Sequence, residues 1–76
     1  MWIKHKDILY NTDTMTQIKK HKSRIIATFI DGHEEIIGEF WTGLQRDNIF
    51  RSIIKALTDN DSFIIIKDTR DGFKKI

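Results

Sequence analysis

An α+β fold is expected for this chain of 76 residues: a small antiparallel β-meander of three to four strands, one amphipathic helix packed on one face, and a final strand at about residues 62–67. Three observations support this fold class. Two apolar-rich runs are joined by Asp31-Gly32, a strong β-hairpin signal. Apolar residues then recur at helical spacing from Ile49 to Leu57. A short apolar run at 63–66 follows the helix and predicts the last strand.

The segment before the hairpin holds two short apolar patches and one candidate strand. Trp2 and Ile3 lie in the first patch, residues 8–10 form the second, and residues 11–13 are typical of a turn. Residues 14–20 are predicted as a strand. The irregular spacing of Met15 and Ile18 indicates a bulge or an irregular edge in it. Residues 20–23 form a polar turn that leads into the hairpin.

The hairpin register follows from a two-residue type I′ turn at residues 31–32. This register pairs Arg24 with Glu39 and Ile26 with Ile37. It predicts one apolar face that receives the helix, formed by Ile25, Ala27, Phe29, Ile36 and Phe40. It predicts a second apolar face on the opposite side, formed by Ile26, Ile30 and Ile37.

The helix is predicted to begin after Thr42, since Thr42 and Gln45 form a capping-box pattern, with Asp47 as the rival N-cap. Its apolar stripe consists of Ile49, Phe50, Ile53, Ile54 and Leu57. Asn60 is the candidate for a left-handed residue after the helix.

The unbroken apolar run at 63–66 predicts a strand buried on both faces, hence a central or an interface strand. Residues 68–76 are expected to be a frayed tail, or a turn at 71–72 followed by a very short strand.

Length and composition are typical of a single globular domain spanning residues 1–76. The chain has no Cys, no apolar run near 18 residues and no secretion pattern at its start, so a cytoplasmic protein without a membrane span is expected. The net charge is +2, and no motif for a cofactor is present.

The second apolar face carries the leading functional hypothesis. One helix covers one face of a small sheet, so Ile26, Ile30 and Ile37 need another cover. The two candidates are the N-terminal segment around Trp2 and a second copy of the chain. The favoured function is therefore a non-enzymatic interaction module that self-associates through this face or through an edge strand, as a homodimer or a larger homo-oligomer. Trp2 is a further candidate contact, because Trp is enriched at interface hot spots.

A basic segment supplies the alternative hypothesis. Residues 1–24 carry a net charge of +4 and residues 25–76 carry −2. The cluster that contacts nucleic acid or another polyanion in this hypothesis is Lys19, Lys20, Lys22 and Arg24. A solvated turn with lysines that protect a sheet edge is the favoured interpretation, since no helix-turn-helix or aromatic RNA-binding motif accompanies the cluster.

Catalytic chemistry is not predicted. His5, His21 and His33 lack the spacing of a metal site and are interpreted as surface histidines. Thr42 and Ser52 have no base at a recognisable motif spacing. A third hypothesis is a ligand or catalytic site that forms only between protomers. The layout of residues 8–57 is similar to that of several small bacterial and phage-borne proteins, and no residue in it indicates a particular family.

Overall fold

The computed structural model describes residues 1–68. It is an α+β fold with two three-stranded sheets and one helix, which confirms the predicted fold class. The elements in chain order are β1 (Trp2–His5), β2 (Ile8–Asn11), a 3₁₀ turn (Thr12–Thr14), β3 (Met15–His21), β4 (Arg24–Phe29), β5 (Glu34–Glu39), α1 (Gly43–Thr58) and β6 (Phe63–Ile66). The predicted turn at 71–72 and all but the first residue of the predicted tail lie outside the described residues.

Strands β3, β4 and β5 form the expected antiparallel meander. The predicted irregularity in β3 is present, because the pairing with β4 shifts between Met15 and Gln17. The other sheet, here called the N-terminal sheet, has the order β2-β1-β6. In it β1 pairs antiparallel with β2 and parallel with β6, so it joins the two ends of the described chain.

The predicted two-residue turn between β4 and β5 is wrong. The Phe29 N–H donates to the His33 carbonyl at 2.9 Å, and the Gly32 N–H donates to the Phe29 carbonyl at 2.8 Å. The connection therefore has three residues, Ile30, Asp31 and Gly32. Gly32 adopts φ 90°, where glycine meets no steric cost. A left-handed glycine at the third position is typical of three-residue hairpin loops.

A bulge in β5 restores the predicted pairing at the far end of the hairpin. Near the turn Ile26 pairs with Ile36, but beyond the bulge Arg24 pairs with Glu39 as predicted. The extra residue is Ile37, which the bulge turns into the core, where it is fully buried. Ile36, which pairs with Ile26, is 38% exposed. The predicted faces of Ile36 and Ile37 are thus both wrong, and Ile37 does not belong to an outer apolar face.

The core lies between the inner faces of the two sheets and the helix. Its fully buried large side chains are Ile3, Ile25, Ile37, Phe40 and Ile53. Tyr10 of β2 stacks on Phe29 of β4 with ring centroids 5.6 Å apart. The N-terminal sheet therefore packs on the same side of the meander as the helix. Of the two candidate covers for the second face of the meander, the N-terminal segment is therefore wrong.

The helix begins as predicted. The Gln45 N–H donates to Thr42 Oγ1, and the Thr42 N–H donates to Gln45 Oε1, both at 3.2 Å. This capping box satisfies backbone donors that the first helical turn leaves free. Asn60 follows the helix at φ 58°, which confirms the left-handed residue. Within the predicted stripe Ile53 is buried, but Ile54 is 43% exposed.

Candidate self-association surface

The outer face of the N-terminal sheet carries a contiguous group of exposed apolar side chains. The strand register places Trp2 between Asn11 and Phe63. It places Lys4 between Leu9 and Ile65 in the next row. The large apolar side chains of these rows are about half exposed: Trp2 45%, Leu9 54%, Phe63 48% and Ile65 54%. We call these four residues, with Lys4 and Asn11, the outer face.

Side chains alternate along each strand, so the N-terminal sheet has one face in the core and one face toward solvent. Ile3 and His5 point inward from β1, and Ile66 points inward from β6. The residues between them must therefore point outward. Backbone hydrogen bonds hold β1 in place, since the Trp2 N–H donates to the Ser62 carbonyl and the Thr12 N–H donates to the Met1 carbonyl, both at 3.0 Å.

The outer face has the size of the largest apolar patch on a typical monomer, roughly 300–600 Å², which is often functional. Four large side chains that are about half exposed present on the order of 400 Å² of apolar surface. Contiguous apolar patches of this size on small proteins mark interaction sites more often than scattered exposed residues do.

Three charged residues lie on or beside the outer face. Lys4 is central, and Asp61 and Lys67 lie just beyond the two ends of β6. All three are exposed. Within residues 1–68 none of their side chains has an ion-pair or hydrogen-bond partner. Among the described residues, nothing pairs with these three charges, which a partner molecule could therefore contact.

The structure separates the four residues predicted to mediate self-association. Trp2 lies on the outer face of the N-terminal sheet. Ile26 is half-buried on the solvent side of the meander, and Ile30 is 76% exposed in the hairpin loop. Ile37 is in the core. Around Ile26 the meander surface is charged, with Lys19 and Glu34 in contact at 2.8 Å.

Sequence reasoning missed Leu9, Phe63 and Ile65 as members of the apolar surface. Of the two predictions for the run at 63–66, the central strand is wrong, since Phe63 and Ile65 are half exposed while Ile66 is buried. The interface strand stays a prediction. β6 is an edge strand of its sheet, not a central one. The sequence shows that β1 and β6 are both short and apolar, which is compatible with their pairing. No local sequence signal indicates that these two distant strands pair.

The four basic residues of the alternative hypothesis do not form one surface. Lys19 lies 2.8 Å from Glu34, Lys20 lies 3.3 Å from Asp47, and Arg24 lies 3.4 Å from Glu39. Lys20 also lies over the Phe50 ring on the helix side of the sheet, opposite to Lys19. Lys22 occupies the β3–β4 turn at φ 55°.

The ion pairs of this region lower the pKa values of two carboxyl groups. A hydrogen bond from Lys19 lowers the pKa of Glu34. Hydrogen bonds from Arg46 and, to a smaller extent, from Lys20 lower the pKa of Asp47. Three of the four basic side chains, those of Lys19, Lys20 and Arg24, are therefore already engaged with acids of the same chain, and no observation here favours a polyanion as their partner.

A buried His–Asp pair was also missed. His5 Nε2 lies 2.9 Å from Asp68 Oδ1, and the two side chains are 6% and 3% exposed. Because a carboxylate only accepts, Nε2 carries the proton of this hydrogen bond. Asp68 Oδ1 also accepts from the Glu39 N–H at 2.8 Å. The interpretation of His5 as a surface histidine is wrong, and so is the placement of Asp68 in a frayed tail.

The His–Asp pair borders an open depression of about 330 Å³. The residues that line it are His5, Lys6, Ile8, Tyr10, Glu35, Ile36 and Glu39. Burial, and then the negative charge of Glu35, raise the pKa of Tyr10. No outer-face residue lines this depression, so a dimer formed through the outer face would not enclose it. A site shared between protomers stays a prediction.

Comparisons with known proteins add no relative: no family model, no curated protein and no solved structure matches this chain. Within residues 1–68 no helix combines the length and the apolar character needed to cross a membrane. The same residues contain no group of three or more His, Asp or Glu side chains placed to hold a metal ion.

Proposed function

We propose that this protein is a non-enzymatic, cytoplasmic interaction module that self-associates through the outer face of its N-terminal sheet. The observation that carries the proposal is the half exposure of Trp2, Leu9, Phe63 and Ile65 in two adjacent rows on one face of the N-terminal sheet. Burial of this surface against a second copy removes apolar area from water, which drives association.

The expected association is modest in strength. A contact of about 400 Å² on each protomer buries a total of roughly 800 Å², which is below the roughly 1,200 Å² of standard specific interfaces and typical of weak, transient ones. We therefore expect dissociation in the micromolar range, and a dimer that forms at high protein concentration.

The test is the replacement of Leu9 by Lys, with Ile30→Lys as the matched control. Both residues are exposed aliphatic side chains, but Ile30 lies in the hairpin loop, away from the outer face. We expect the wild type and Ile30→Lys to show about twice the 9.0 kDa chain mass by light scattering, and Leu9→Lys to show the chain mass alone. Circular dichroism checks that each variant is folded.

A different result would overturn the proposal. Leu9 lies on β2, at the sheet edge away from β6. An association made edge to edge through β6 would survive Leu9→Lys, so an unchanged dimer mass in this variant contradicts a contact through the outer face. Loss of the dimer in Ile30→Lys alone would place the contact on the meander.

A further inference from the structure

We propose that the two copies stack outer face to outer face about a two-fold axis that runs across the strands, so that each strand lies antiparallel on the same strand of its partner. This inference rests on the proposed self-association, and it adds the orientation of the partner. It follows from the order of charged and apolar residues along the N-terminal sheet.

The charges of β6 are opposite at its two ends. Alternate residues run from Asp61 through Phe63 and Ile65 to Lys67, with Phe63 and Ile65 inside the strand. Phe63 lies beside Trp2, and Ile65 lies beside Lys4. The outer face is therefore acidic beyond one end of β6, apolar in the middle, and basic toward the other end.

A two-fold axis across the strands reverses this order in the partner. Each β6 then lies on the partner's β6, which places Phe63 on the partner's Ile65 and Asp61 opposite the partner's Lys67. In the neighbouring strand Trp2 lies on the partner's Lys4, whose ammonium group is attracted to the indole face. Each contact occurs twice, because a two-fold interface is self-complementary. Stacked sheets about 10 Å apart bring these side chains into contact.

A two-fold axis along the strands, the other choice that keeps the strands of the two sheets aligned, gives a poorer match. It keeps the acidic ends of both copies on the same side. It also lays the central β1 of one copy on β1 of the other in the same direction, with Lys4 facing the partner's Lys4. Like charges at the centre of an apolar contact are unfavourable. The charge order therefore selects the axis across the strands.

Charge reversal at the two ends of β6 tests this orientation. In Asp61→Lys both members of each end contact are lysines, and in Lys67→Asp both are aspartates. We expect each single variant to dimerise about tenfold more weakly than the wild type, because two contacts per dimer change from attraction to repulsion. We expect an equimolar mixture of the two variants to regain wild-type affinity, since each end contact of the mixed dimer then joins a lysine and an aspartate.

Two controls separate orientation from general charge effects and from folding. Lys67→Asp lowers the net charge from +2 by two, to zero, so a general repulsion between copies would make this variant associate more strongly, not less. The double variant Asp61→Lys/Lys67→Asp keeps the composition and net charge of the wild type. We expect it to dimerise like the wild type.

The outcomes distinguish this inference from the function it rests on. Sedimentation velocity measures the affinities of the wild type, the two single variants, their mixture and the double variant. A wild type that dimerises, with single variants that are not weaker or a mixture that does not recover, overturns the orientation and leaves the self-association standing. A wild type that stays monomeric at every concentration overturns both.

Discussion

At the scale of single residues, Asp68 links β1, β5 and β6. Its carboxylate accepts from the His5 ring of β1 and from the Glu39 backbone of β5, and it lies two residues after β6. Lys6 Nζ lies 3.9 Å from the same carboxylate. These contacts fix one end of the N-terminal sheet against the meander, so they support the surface on which the outer face is built.

We expect Asp68→Ala to lower the free energy of unfolding by about 3 kcal/mol, since it leaves a buried imidazole N–H and a backbone N–H without their acceptor. Urea unfolding followed by circular dichroism measures this change. Asp7→Ala, at an exposed position in the β1–β2 turn, is the matched control and is expected to stay within about 0.5 kcal/mol of the wild type. Equal losses in both variants would show that the Asp68 contacts contribute nothing specific.

The contacts of Asp68 with His5 and with the Glu39 backbone could not be predicted from the sequence. Asp68 and His5 are 63 residues apart, and neither stands in a motif. An aspartate that follows an apolar strand is usually a solvated flank, and a single histidine near the chain start is usually exposed. Only the parallel pairing of β1 with β6 brings the two side chains together.

At the scale of the elements, the bulge in β5 decides which isoleucine enters the core. The three-residue loop shifts the register by one residue, and the bulge shifts it back before Gly38 pairs with Ile25. Between these two shifts, each residue of β5 faces the side opposite to the one it would face in a hairpin with a two-residue loop and no bulge, which we call an unbroken ladder. A one-residue slip has this effect because side chains alternate along a strand.

Because the bulge buries one isoleucine of β5 and exposes its neighbour, we expect alanine substitutions at these two positions to have unequal effects on stability. We expect Ile37→Ala to cost about 2–5 kcal/mol in unfolding free energy, because it leaves a cavity at a fully buried position. Ile36→Ala, at a position 38% exposed, is expected to cost about 1 kcal/mol or less. Chemical denaturation of both variants gives the comparison. A larger loss for Ile36→Ala would support the unbroken ladder and contradict the bulge.

The elements that the sequence predicts correctly are those with local signals. The capping box at Thr42 and Gln45 and the left-handed residue Asn60 bound the helix, and Asp31-Gly32 marks the hairpin. The loop length was not predictable, because Asp-Gly fits both two- and three-residue loops. The choice between them depends on whether Ile36 or Ile37 fills the core, which is a property of tertiary packing.

At the scale of the whole molecule, the two sheets differ in what they present to solvent. The outer side of the meander is covered by ion pairs such as Lys19–Glu34 and Arg24–Glu39. The N-terminal sheet presents Trp2, Leu9, Phe63 and Ile65, with Lys4 as the charged residue among them. The sequence predicted the exposed apolar surface on the meander, whereas the structure places it on the N-terminal sheet, because this surface is assembled from strands at opposite ends of the described chain.

The mass of the wild-type chain in solution, measured by sedimentation equilibrium from about 1 to 500 μM, tests the proposed self-association most directly. We predict a reversible rise from the 9.0 kDa chain mass toward twice that value as the concentration increases. A constant mass of 9.0 kDa over the whole range would show that the outer face does not bind a second copy, and would contradict the proposal.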